Sequence, residues 1–240
     1  MTTDDTVMTM AVAAAILQTK LELGRGDQGS EADLLRAACR ILAGSSLAAA
    51  TAGILHCGST RRIPSHMAAL ATAAPCAFPP CGWAGRSEEE VRNLATWVSE
   101  PTHDHPEGIQ GAVATALAIY YARTGVDKDE LRRRLGEMYD LDFTLDEIRA
   151  TYEFNETCQE TVPQALVAFF ESESYEDALR CAVSIGGDSD TVAAISGSIA
   201  EAYYGIPQSV QDEILSYFYN DHVELLLNTL IEFNREYGEH

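Results

Sequence analysis

Apolar side chains recur along this chain at helical spacing, and almost nowhere do they alternate with period two. Val7, Met10, Ala11, Ala14, Leu17 and Leu21 form one such stripe, closed by Gly24. Ser30 with Asp33 resembles an N-terminal cap for a second helix running into the low 40s. Ser87 and the three glutamates after it open another, through about Ser99, with acids where a first turn favours them. A long apolar helix is predicted from about Ile109 to Arg123 and is stopped by Gly125. Shorter helices follow at roughly 127–138, 144–151, 161–172 and 174–184. One more runs from the acidic cluster near 190 to Tyr204, where Gly205-Ile206-Pro207 breaks it, and two further helices fill 208–219 and 220–236. No segment resembles a βαβ unit and no repeat of 20–50 residues is visible. The pattern predicts an all-α fold, a compact multi-helix bundle forming a single domain over 1–240.

One stretch departs from this pattern. Between Asp33 and Glu88 there is not one acidic residue, where the frequency elsewhere in the chain would give roughly ten. Four of the six Cys fall there, and helical periodicity dissolves from about Gly44 to Pro80. Codons for Ala71 to Pro80 exist that, read one nucleotide earlier, give Gly-Asn-Gly-Ser-Ala-Met-Arg-Val-Ser-Pro. Residues 45–79 are therefore expected to be irregular, an out-of-frame translation between two compensating indels. The DNA of the gene checks this: a second frame encoding that peptide is the expected finding, and a gene without it ends the idea.

Charge and cysteine usage narrow the functional classes. The 37 acidic residues outnumber the 16 basic ones to give a formal charge of −21, which argues against nucleic acid or an anionic membrane as a direct partner. No 18-residue apolar run appears, and no basic region leads into a hydrophobic one at the N-terminus. The six Cys (39, 57, 76, 81, 158 and 181) show neither CxxC nor Cys/His metal spacing. A reduced cytoplasmic protein with free thiols, monomeric, is the expectation.

Within the acid excess, two clusters stand out by composition. Thr3-Asp4-Asp5-Thr6 and Gly187-Asp188-Ser189-Asp190-Thr191 each pack two carboxylates and hydroxyls into a few residues and lead into a helix. Carboxylate and hydroxyl oxygens are the ligands that Mg²⁺ and Mn²⁺ prefer. Adjacent Asp4 and Asp5 are free to point in different directions, and Asp188 and Asp190 in a tight Gly-Gly turn can point inward together. The simpler reading makes both clusters helix N-caps with an extra dipole-favoured acid, in an acidic helical interaction domain.

Several motifs, in order, tip the balance. Thr-Asp-Asp-Thr before a helix, Thr102-His103-Asp104-His105-Pro106, Cys158-Gln159-Glu160-Thr161-Val162-Pro163, Gly186-Gly187-Asp188-Ser189-Asp190-Thr191 and Ala202-Tyr203-Tyr204-Gly205-Ile206-Pro207 together resemble the ADP-ribosylglycohydrolase family, the group that includes the dinitrogenase reductase-activating glycohydrolase. The likeness spans residues 2–42 and 80–236. It implies a helical bundle holding two divalent cations, Mg²⁺ or Mn²⁺, with Thr3, Asp4 and Asp5 as one set of ligands and Asp188, Asp190 and Thr191 as the other. It implies hydrolysis of the glycosidic bond between ADP-ribose and a modified protein side chain or small acceptor. Asp5 is then the candidate general base, and Gly187 and Ser189 face the substrate. His103 contacts the diphosphate or ribose, or orders its loop. Relatives carry some tens of residues before Thr-Asp-Asp-Thr, so this chain reads as N-terminally truncated. They also carry the Gly-Asn-Gly-Ser-Ala-Met-Arg loop in the cleft. Both departures open the alternative of a catalytically impaired relative that only binds ADP-ribose or metal.

Overall fold

A long helix made almost entirely of small and aliphatic side chains, Pro106–Arg123, organises the molecule. In the computed structural model, which describes residues 4–25, 29–44, 78–101, 104–154, 157–217 and 221–238, every side chain from Gly111 to Ile119 on this helix is buried. Such a helix is apolar around its whole circumference, so it belongs at the centre of a bundle and not on its surface. The side chains of 4–8, 40–44 and 214–226 lie outside the description.

In chain order the described helices are α1 (Asp4–Gly24), α2 (Glu31–Gly44), α3 (Pro79–Ala84), α4 (Glu88–Ser99), α5 (Pro106–Arg123), α6 (Lys128–Leu135), α7 (Leu145–Ile148), α8 (Val162–Glu171), α9 (Tyr175–Ser184), α10 (Ser189–Tyr204), α11 (Gln208–Tyr217) and α12 (Asp221–Tyr237). A single 3₁₀ turn, Cys158–Glu160, precedes α8. Among the described residues no strand occurs, as the sequence pattern predicts. α5 packs against α3, α4, α6, α8 and α10, while α1 packs against α2, α3 and α12. Buried apolar side chains from Val12 to Phe233 join into one contiguous core.

Local chemistry explains most boundaries. Ser87 Oγ accepts from the Glu90 amide at 3.2 Å, and Ser174 Oγ accepts from the Asp177 amide at 3.2 Å, each capping its helix. The α5 C-terminus closes with Gly125 N–H donating to Ala122 O and Val126 N–H donating to Tyr121 O, the paired bonds of a Schellman motif.

Four boundaries differ from the sequence reading. α5 begins three residues earlier than the expected Ile109, because His105 Nδ1 accepts from the Glu107 amide and Pro106 suits the first helical position. α6 ends at Leu135 and not near 138, since Gly136 closes it onto Arg132 O. α7 keeps only Leu145–Ile148 of the predicted 144–151. α3 lies where no helical periodicity is legible, its two prolines occupying the opening positions that lack amide partners anyway. Gly82 lets α3 approach α5, since a Cβ there would sit 2.6 Å from Ala116 O and 2.7 Å from Ile119 Cβ. Of the segment expected to be irregular, Phe78 and Pro79 are described and buried, and residues 45–77 lie outside the described residues.

Three cations fasten the bundle by donating to backbone carbonyls. Lys128 Nζ donates to Phe169 O (2.7 Å), Phe170 O (3.3 Å) and Ser172 O (2.5 Å) at the end of α8, and lies 4.7 Å from the Phe169 ring centroid. Arg123 Nε donates to Gly82 O at 2.9 Å, and its guanidinium also reaches Gly85 O. Arg132 donates to Leu141 O (2.5 Å) and Phe143 O (3.2 Å). Each satisfies orphan carbonyls that a helix end or an irregular segment leaves without partners.

Candidate functional site

The second acidic cluster sits at the junction of α9 and α10. α9 ends at Ser184, and Gly186 (φ +74°) and Gly187 (φ +63°) turn the chain through two consecutive left-handed residues. Only glycine takes that conformation without a steric cost, so the Gly-Gly pair is what allows two packed helices to be joined this tightly. The turn delivers Asp188 to the N-terminus of α10.

Asp188 is only 8% exposed, and Thr191 one turn later is 4% exposed. Asp190 is exposed, and Ser189 is half-buried. The two carboxylates that the i,i+2 spacing suggests could point inward together therefore differ in environment: one buried, one open to solvent. Asp188 holds the N-cap position, yet no amide of the first turn donates to its side chain. Elsewhere Ser87, His105, Asp127 and Ser174 in that position all accept such a bond. The helix dipole favours a carboxylate at this end of α10, and the burial of Asp188 sets it apart from the exposed Asp190.

The turn is walled by a residue that sequence reasoning missed. The Tyr152 ring lies against Gly187, where an added Cβ would come within 2.5 Å of Tyr152 Cε1 and 3.1 Å of Glu153 O. The Tyr152 hydroxyl donates to Glu160 O at 3.0 Å. Burial raises its pKa above the usual tyrosine range, a hydrogen bond with the Thr161 side chain opposes this, and the Asp188 and Glu160 carboxylates add to the rise. Thr161 is fully buried at the start of α8. The 3₁₀ turn before it buries Cys158, whose thiol burial pushes up to about 12. Cys158 thus acts as a small hydrophobe, whereas Cys181 is only half-buried; both, with Cys39 and Cys81, are free thiols.

Of the other predicted residues, Asp4 and Asp5 open α1 as its first two residues, with side chains outside the described set. Thr3 and His103 lie outside the described residues. Among the described residues no group of three or more His, Cys, Asp or Glu is arranged to hold a metal ion. Asp188, Asp190 and Thr191 offer two carboxylates and a hydroxyl, a donor set made only of oxygen. That chemistry fits Mg²⁺ or Mn²⁺ and not a thiolate-seeking metal. The remaining ligands expected, Thr3, Asp4 and Asp5, are those whose side chains are not described. Among the described residues no helix is long and apolar enough to cross a membrane.

A family model described as ADP-ribosylglycohydrolase matches residues 1–237. The chain is similar to human (Homo sapiens) ADP-ribosylhydrolase ARH3, 26% identical over 181 residues that cover 55% of this chain and 50% of that protein. It is also similar to the ADP-ribosylarginine hydrolase Tri1 of Pseudomonas putida (strain GB-1), 26% identical over 147 residues covering 56% of this chain and 38% of that one. The chain thus spans about half the length of the human relative and less of the bacterial one. A solved structure described as "ADP-ribosylglycohydrolase-related protein complex" superposes with a TM-score of 0.56 at 23% identity, covering 95% of this chain and 82% of that one, which shows the fold.

Proposed function

This chain belongs to the ADP-ribosylglycohydrolase family, and we propose that it hydrolyses the glycosidic bond between ADP-ribose and a modified protein side chain or small acceptor. The observation that carries the reading is the oxygen donor set at the start of α10, where Asp188 and Thr191 are both buried, one turn apart, beside the exposed Asp190. In this reading Asp188, Asp190 and Thr191 supply half of the ligands for two divalent cations, Mg²⁺ or Mn²⁺, and Thr3, Asp4 and Asp5 supply the rest. Bound cations would orient the ribose hydroxyls and polarise the leaving group or a water.

The chain's own groups then divide the remaining work. The Asp5 carboxylate takes a proton from the attacking water, whose oxygen bonds to the anomeric carbon as the bond to the acceptor breaks, and that proton then passes from Asp5, directly or through solvent, to the departing acceptor, which restores the carboxylate. A carboxylate so placed also favours the positive charge that develops on the sugar ring. Gly187 offers backbone polar groups to the substrate on the side away from the Tyr152 ring, and the Ser189 hydroxyl and His103 offer polar contacts to ribose or diphosphate.

The test is release of free ADP-ribose from arginine- and serine-ADP-ribosylated proteins by the full chain with Mn²⁺. Release above the protein-free blank is the expected result. Failure on every acceptor, with Mn²⁺ still bound, would leave the second reading, a relative that binds ADP-ribose or metal without turnover. That reading draws support from the acid-free stretch between Asp33 and Glu88, because the cleft peptide that relatives carry is not encoded there in the frame as read.

A further inference from the structure

Tyr152 ties together three segments: the end of α7, the 3₁₀ turn and the distant Gly186-Gly187 turn. Its amide donates to Ile148 O at 2.8 Å, anchoring it to the end of α7. Its hydroxyl donates to Glu160 O at 3.0 Å, anchoring the far edge of the ring to the 3₁₀ turn. The ring itself is half-buried against the core and lies on Gly187, which can approach it only because it has no Cβ. Gly186, the residue before, has the same left-handed backbone and nothing within 4 Å of where a Cβ would be. The contact is therefore specific to the residue immediately before Asp188.

Two consecutive glycines are the most conformationally free dipeptide a chain can contain. Asp188 is tied to α10 by the Val192 N–H, which donates to its carbonyl at 3.0 Å, and the turn that leads into it is met by the Tyr152 ring. From the Tyr152–Gly187 contact we propose that Tyr152 is a positioning residue, whose ring clamps the Gly186-Gly187 turn and so fixes the direction of the Asp188 carboxylate. This inference rests on the reading of Asp188 as a ligand. Tyr152 touches neither metal nor substrate in this account and acts through the turn, as partners behind a metal ligand do, where their loss costs about 10–100-fold in affinity.

Calorimetric titration of the full chain with Mn²⁺, below the unfolding midpoint of every variant, tests it. Tyr152→Ala is expected to weaken Mn²⁺ binding by about 10–100-fold, while Tyr152→Phe, which keeps the ring over Gly187, stays within about threefold of the parent. Equal affinity in the parent and in Tyr152→Ala, or a Phe variant as weak as the Ala variant, overturns the proposal. If Tyr152→Ala does not fold, the glycines supply the comparison. Gly187→Ala drives a methyl into the ring, whereas Gly186→Ala carries similar backbone strain with no contact. A larger loss of affinity in Gly187→Ala supports the clamp, and equal losses overturn it. A parent chain that binds no Mn²⁺ is a different failure, because it removes the ligand reading itself along with its clamp.

Discussion

Asp188→Ala is expected to abolish Mn²⁺ binding and to lower ADP-ribose release by roughly a thousand-fold, with the fold retained. A metal ligand contributes several kcal/mol to stabilising the transition state, and about 1.4 kcal/mol corresponds to a factor of ten in rate. Two observations separate this outcome from the loss of a helix cap. The Asp188 side chain makes no capping bond to the first turn of α10. The carboxylate is also buried, so removing it takes charge out of a desolvated position. A cap substitution would instead cost about 0.5–2 kcal/mol of stability with no metal-dependent change. Thermal melts with and without Mn²⁺ tell the two apart. A variant that melts lower yet binds Mn²⁺ like the parent would return Asp188 to the role of cap.

Phe169→Ala should lower the free energy of unfolding by about 3–5 kcal/mol, the range for truncating a fully buried aromatic. Phe169 has no exposed surface and meets Tyr203 edge-on at 5.4 Å between ring centroids, with Phe170 at 5.5 Å and Tyr204 at 6.2 Å. Edge-to-face pairs add to the burial term. Lys128 Nζ stands over the same ring while holding the carbonyls that end α8. Tyr203 and Tyr204 are the last residues of α10, so the cavity would open beneath the helix that carries Asp188 at its other end. Urea unfolding followed by circular dichroism measures the change, and a loss below about 1 kcal/mol would mean that the cluster repacks around the void.

The helices legible in the sequence are those whose ends carry their own chemistry. Ser87 and Ser174 cap where their position suggests, and α10 ends at Tyr204 before Gly205, whose φ is +74°. The Tyr203-Tyr204 pair is half-buried and packs against the core. α3 was hidden because six residues cannot establish a period and because a Pro pair reads as a break until its place at a helix start is known. For the candidate site, the Gly-Gly turn and the acids after it are written contiguously and could be read. The different burial of Asp188 and Asp190 could not, since it depends on which side of the turn the core lies. Nor could Tyr152, which meets Gly187 across 35 positions of sequence through a contact that leaves no periodic trace.

Arg123, Lys128 and Arg132, already counted in the formal −21, direct their charge at carbonyl dipoles and not at exposed carboxylates. Ion–dipole bonds at 2.5–3.3 Å are too short-ranged for counterions to weaken much, whereas repulsion among exposed acids is long-ranged and readily screened. Ionic strength therefore acts on this molecule mainly through its surface. Dilute buffer is where the bundle is under the greatest outward electrostatic pressure, and added salt relieves that pressure while leaving the clamps that hold its helix ends in place.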